Sequence, residues 1–244
     1  MTTFVLVPGF WLGAWAWQNV TTALREAGHD VHPLTLTGVG ERAHLATPEV
    51  DLDTHTDDVV RLIEERDLHN VVLVGHSGGG MPVSQAADRI PERIAQVTYV
   101  DSGPLPDGMS QFDTNEPAEQ ERLRALIGDS HLLPPPPWDP AADPVNLAGL
   151  DEAALAMLRS RSTPHPLGAA TQPVRRRQHA KVRNALVACV IPIDQVREMI
   201  AQGHPFFAEF QDGEVRGLDT GHWPMLSEPA ALAATLNDLA TTPS

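Results

Sequence analysis

The sequence predicts an α/β fold built on a mostly parallel sheet with helices on both faces. Short apolar runs alternate with longer amphipathic segments along the chain, the pattern of strand–helix–strand units. Two of the runs, 71–74 and 186–190, lack polar alternation, as strands covered on both faces do. A chain of 244 residues is also long enough for one well-buried core.

The strands are expected at residues 4–7, 31–35, 71–74, 97–100, 186–190 and 215–218. Helices fit 16–27, 56–66, 81–90, 195–201 and 230–239. In the second of these Val59, Leu62 and Ile63 share one face, and Asp53 or Thr54 is placed to cap its start. Residues 104–183 differ from the rest. They carry Pro134-Pro135-Pro136-Pro137 and further prolines, which resist helix interiors and central strands, around two short helical pieces at 116–127 and 152–159. The stretch is expected to form a helical cap over one edge of a core made of 1–103 and 184–244. Leu123, Leu126, Ile127, Leu155, Met157 and Leu158 supply the surface it would bury. The last four residues, from Thr241 to Ser244, read as a loose tail.

Composition narrows the function. The net charge of −15 argues against a nucleic-acid partner. The apolar stretch from Phe4 to Trp17 is too short to span a membrane, and Pro8, Gly9 and Gly13 interrupt it. A strand already begins at the third residue, so no signal peptide is expected, and a cytoplasmic location follows as the default. The one cysteine, Cys189, sits in an apolar run and reads as a small buried hydrophobe. There is no His-Glu-x-x-His or clustered Cys/His set, so neither a metal nor another cofactor is expected.

The chemistry concentrates at Gly75-His76-Ser77-Gly78-Gly79, a G-x-S-x-G motif directly after a buried strand and before a helix. A serine on so tight a turn needs small neighbours, and the turn presents its hydroxyl at the strand's C-terminal edge, near a helix N-terminus. A serine hydroxyl needs a base. Where this motif is catalytic, the base follows the last strand, and His222 in Asp219-Thr220-Gly221-His222-Trp223-Pro224 occupies that place. His76 reads as a packing and hydrogen-bonding residue, and His29 and His32 as a turn entering a strand.

With those residues in view, the chain resembles the α/β-hydrolases of the plant methylesterase and hydroxynitrile lyase group and their bacterial esterase relatives. The resemblance rests on the opening Phe4-Val5-Leu6-Val7-Pro8-Gly9-Phe10-Trp11-Leu12-Gly13-Ala14-Trp15, the elbow at 75–79, and His222-Trp223-Pro224-Met225-Leu226-Ser227-Glu228-Pro229. It implies an oxyanion hole from the amides of Gly78 and Phe10, although Pro8 stands where relatives usually carry histidine. The lyases of the group carry threonine at the position of Gly9 and lysine at that of Trp223, so the resemblance leans to the esterases.

The third triad member is open. Relatives place an aspartate after the strand that follows the cap; here the loop is short, and Asp194 opens a helical segment where its ordinary role is an N-cap. Asp101 ends the strand at 97–100, a site some α/β-hydrolases use for their acid. Asp101 is favoured over Asp194, Asp219 is a poorer choice, and a chain in which neither serves is the third case. Trp11 at the mouth and Trp138 in the cap are expected to line an apolar or aromatic pocket. The expected partner is a small ester, with oligomeric state open. Rival readings are a lyase, lactonase or carbon–carbon bond hydrolase on the same fold, and a non-catalytic small-ligand receptor.

Overall fold

A computed structural model describes residues 1–177 and 182–241. Its main sheet takes β1 (Thr3–Val7), β2 (Asp30–Pro33), β3 (Val71–His76), β4 (Ile94–Val100), β7 (Arg183–Ala188) and β8 (Glu214–Gly217) in the order β2-β1-β3-β4-β7-β8, every pair parallel. Helices α1 (Gln18–Glu26), α2 (Leu52–Glu65), α3 (Gly80–Arg89), α7 (Ile193–Ala201), α8 (Pro224–Ser227) and α9 (Pro229–Thr241) connect or follow these strands. Between β4 and β7 the chain forms α4 (Pro117–Ile127), β5 (Leu132–Leu133), α5 (Glu152–Arg161), β6 (His165–Pro166) and α6 (Leu167–Thr171), with β5 and β6 paired antiparallel.

The parallel sheet is buried on both faces because its strands alternate between two apolar layers. Phe4, Leu6, Val72, Val74 and Val187 face the layer completed by α1 and α9. Val5, Val7, Val71, Leu73, Tyr99 and Leu186 face the layer that contains Val59 and Ile63 of α2 and Val83 of α3. All six expected strands form, each within a few residues of its expected bounds.

Three expectations need correcting. The N-cap of α2 is Asp51, whose carboxylate accepts from the Thr54 amide at 2.9 Å while the Thr54 hydroxyl accepts from the Asp51 amide, a reciprocal box. Asp51→Ala should therefore lower the unfolding free energy by about 1 kcal/mol, read as a shifted urea midpoint. In α7 the N-cap position is Pro192, and Asp194 lies inside the first turn. Between β4 and β7, Ile127, Leu155 and Leu158 are buried as expected, but Leu126 and Met157 face solvent because α4 and α5 each bury a narrow stripe. Of the expected tail, Thr241 ends α9, and 242–244 lie outside the described residues.

Candidate active site

Ser77 follows β3 directly and stands at φ +48°, the left-handed conformation that a tight strand-to-helix turn demands. The flanking glycines are required by contact. A Cβ on Gly75 would come within 2.7 Å of the Gly79 carbonyl oxygen, and one on Gly79 within 2.6 Å of the Pro8 carbonyl oxygen. A Cβ on Gly9 would lie 2.8 Å from His76 Nδ1 and 2.9 Å from the Ser77 Cβ, so the loop after β1 closes tightly on the elbow. The Ser102 hydroxyl donates to the Ser77 carbonyl at 2.6 Å and pins the turn from the end of β4.

His222 lies in the loop between β8 and α8. Its Nδ1–H donates to Asp101 Oδ2 at 2.5 Å. The other oxygen, Oδ1, accepts from the Cys189 amide at 3.0 Å and the Val190 amide at 3.1 Å. Asp101 can reach all three because it sits at φ +44° just past β4, between the elbow strand and β7. Burial works against its charge, but the His222 hydrogen bond and charge and the two amides outweigh it and hold the carboxyl below its ordinary range. Asp194 is elsewhere: its side chain is 91% exposed and pairs with Arg197 at 3.5 Å.

His76 bridges the serine and histidine segments. It is fully buried, and its Nε2–H donates to the His222 carbonyl at 2.7 Å. The residue before Ser77 thus holds the backbone of His222 directly. Burial, then the neighbouring His222 charge, pulls the His76 pKa down to about 3, so it stays a neutral donor.

The Phe10 amide has no acceptor among the described residues, and Gly78, in the first turn of a short 3-10 helix, has none within that helix. The two residues touch, since the Phe10 ring occupies the space a Cβ on Gly78 would need. Trp11, partly buried, follows Phe10. Trp138 is 3% exposed and packs edge-on against Trp11 at 5.9 Å and Trp223 at 5.0 Å, so its surface is spent on those rings instead of being open to a ligand. Cys189 is buried, and burial followed by the Asp101 charge raises its thiol pKa. Its contribution to the site is its backbone amide.

Several members of this arrangement carried no sequence signal: the Cys189 and Val190 amides, the Ser102 hydroxyl, and the Asn146 and Ala148 carbonyls, which accept from the His222 and Gly221 amides at 2.8 and 3.2 Å. A cavity of about 690 Å³ behind β7 and β8 touches Cys189 and Val190 but not Ser77, His222 or Phe10, so it lies outside the site. No group of three or more His, Cys, Asp or Glu among the described residues could hold a metal. No described helix is long and apolar enough to cross a membrane.

Residues 4–235 match the family model described as the alpha/beta hydrolase family. The carbendazim hydrolyzing esterase of Nocardioides sp. is 49% identical over 102 residues, a match that takes in 42% of this chain and 42% of that esterase's length. Methyl jasmonate esterase 1 of Vitis vinifera is 28% identical over 257 residues, covering 97% of this chain and 95% of its own. An extracellular alpha/beta-hydrolase from a Paenibacillus species has the same fold, with a TM-score of 0.81 at 20% identity over 99% of this chain and 100% of that one.

Proposed function

The chain belongs to the alpha/beta hydrolase family, and from that premise we propose that it is a serine hydrolase of small carboxylic esters, with Ser77 as nucleophile, His222 as base and Asp101 as acid. The observation that carries the reading is the Asp101–His222 contact at 2.5 Å, made by a carboxylate already oriented by two amides, with the histidine's own backbone tied to the residue before Ser77.

In this reading Ser77 Oγ adds to the ester carbonyl carbon as its proton passes to His222 Nε2, and the imidazolium is stabilised by Asp101. The amides of Phe10 and Gly78 bind the oxyanion, a contribution of roughly 3–4 kcal/mol for a single donor. Nε2–H then protonates the leaving alkoxide as the acyl C–O bond breaks. Water, losing a proton to the same nitrogen, adds to the acyl-enzyme, and the tetrahedral species collapses to carboxylic acid and free Ser77. Of the expected cap, residues 104–177 serve as the cover over the site in this reading.

Gly9 favours the esterase reading over the lyase. The threonine that lyases of the group carry there would drive a side chain into His76 Nδ1 and the Ser77 Cβ. The test is a panel of small aromatic and aliphatic methyl esters, with lactones alongside, together with an organophosphonate label. The expected outcome is turnover of at least one ester and one label per chain on Ser77, lost in Ser77→Ala. Labelling with no ester turned over would move the reading to a lactonase or carbon–carbon hydrolase, and neither labelling nor turnover would sink acyl transfer.

A further inference from the structure

Trp11, the residue after Phe10, stands at φ +68°, where a bulky side chain is strained and persists only if its surroundings over-determine it. All three of its polar groups are taken up by residues between β4 and β7. Its carbonyl accepts from the Thr163 amide at 3.0 Å, its indole N–H donates to the Leu133 carbonyl at 3.2 Å, and its amide donates to His165 Nδ1 at 3.4 Å. Leu133 and His165 face each other in the β5–β6 pair, so one small structural unit grips Trp11 from both ends.

The same unit reaches Phe10. The His165 ring, 1% exposed, lies 4.2 Å from the Phe10 ring at 31°, and the Phe10 ring in turn fills the space over Gly78. Burial, and then the charge of nearby His55, keeps His165 neutral, so its Nδ1 lone pair is free to accept. The geometry points to a positioning role for this unit: β5 and β6, through His165 and Trp11, set the Phe10 amide in its oxyanion-binding orientation, so that the site is competent only while they are docked. The inference rests on the acyl-transfer reading above. Its physical content is that the bonds to residue 11 fix the peptide it shares with Phe10. Released from them, Trp11 relaxes to negative φ and that peptide turns; the Phe10 N–H, which lies in the preceding Gly9–Phe10 peptide, moves off the oxyanion as the turn carries the Phe10 Cα and ring away from His165 and Gly78. A movement of the segment that admitted substrate would therefore switch the oxyanion site off until it closed again.

The test compares His165→Phe, which keeps a ring against Phe10 but removes the acceptor, with His165→Asn, whose side-chain oxygen can stand near the lost Nδ1. Complete loss of one oxyanion donor lowers kcat by about 10²–10³-fold; a displaced donor should cost less, about 10- to 100-fold. His165→Phe is expected to lower kcat by that factor with KM within about threefold. Its affinity for a trifluoromethyl ketone should fall in parallel while affinity for the product acid holds. His165→Asn should recover most of kcat. A folded His165→Phe with wild-type kcat and ketone affinity overturns the inference. Should neither variant fold, or should the wild type cleave no ester, amide exchange in the wild type decides. Amides 9–12 and those of Thr163, His165 and Leu167 are expected to open with one free energy and to gain protection together when the ketone binds, and independent opening of the two sets overturns the inference whatever the enzyme hydrolyses.

Discussion

Asp101→Asn should lower kcat by about 10⁴, the cost of the same change in a Ser-His-Asp protease and about 5 kcal/mol of transition-state stabilisation. The reason is the tautomer. Oδ1 is committed to the amides of Cys189 and Val190, so asparagine keeps its oxygen there and turns its NH₂ toward His222 Nδ1. Nδ1 must then accept, the ring proton moves to Nε2, and Nε2 can no longer take a proton from Ser77. The backbone gives no competing explanation, because asparagine adopts the φ of +44° at position 101 as readily as aspartate. Asp194→Asn is the control: its exposed pair with Arg197 is worth at most a few tenths of a kcal/mol, and kcat should hold. Steady-state kinetics on any ester the wild type turns over decide the matter. An Asp101→Asn enzyme within tenfold of wild type, or a large loss in Asp194→Asn, would show that the acid lies elsewhere.

In the sequence Asp101 and Asp194 have the same local setting. Both follow a strand and both precede a turn or helix; what distinguishes them is where the loop carrying His222 crosses the sheet edge, and that is a tertiary fact. The loop is drawn in by the backbone carbonyls of Asn146 and Ala148, which leave no mark on residue identity, and by the His76 side chain. The elbow was legible because its requirements are local: a serine at positive φ between glycines whose missing Cβ atoms make room for the Gly79 and Pro8 carbonyls. The two-sided sheet was legible because unbroken apolar runs have few other homes. Trp138 was misjudged for a different reason: an indole suits a pocket wall and a packed cluster equally, and only its contacts with Trp11 and Trp223 separate them. The cap of α2 lies two residues before Asp53 and three before Thr54, the expected candidates; all three residues have the right chemistry, and the hydrogen-bond geometry alone picks Asp51.

The burial of His76 makes the fold acid-sensitive in a way that can be isolated. Its pKa is about 3 in the folded chain against an ordinary 6.5, because burial and the adjacent His222 disfavour its charge. The unfolded chain therefore binds a proton that the folded one refuses between those two values. The associated stability is intact above pH 6.5 and declines as pH falls toward 3. By pH 5 the loss from this one residue is about 2 kcal/mol, a sizeable part of a typical domain's 5–15. His55 and His165, also buried with lowered pKa values, act in the same direction, and so does Asp101, whose depressed carboxyl must be protonated as acid denaturation proceeds. One global effect opposes them: with a net charge of −15, acidification relieves self-repulsion. His76→Gln separates the two. Glutamine does not titrate, yet its amide can still donate to the His222 carbonyl, while the global charge is almost unchanged. Urea unfolding at pH 7.5 and pH 5 should show the wild type losing about 2 kcal/mol more than His76→Gln over that interval. Equal losses in the two proteins would mean that His76 takes up a proton on Nδ1 inside the fold while its Nε2–H goes on donating to the His222 carbonyl.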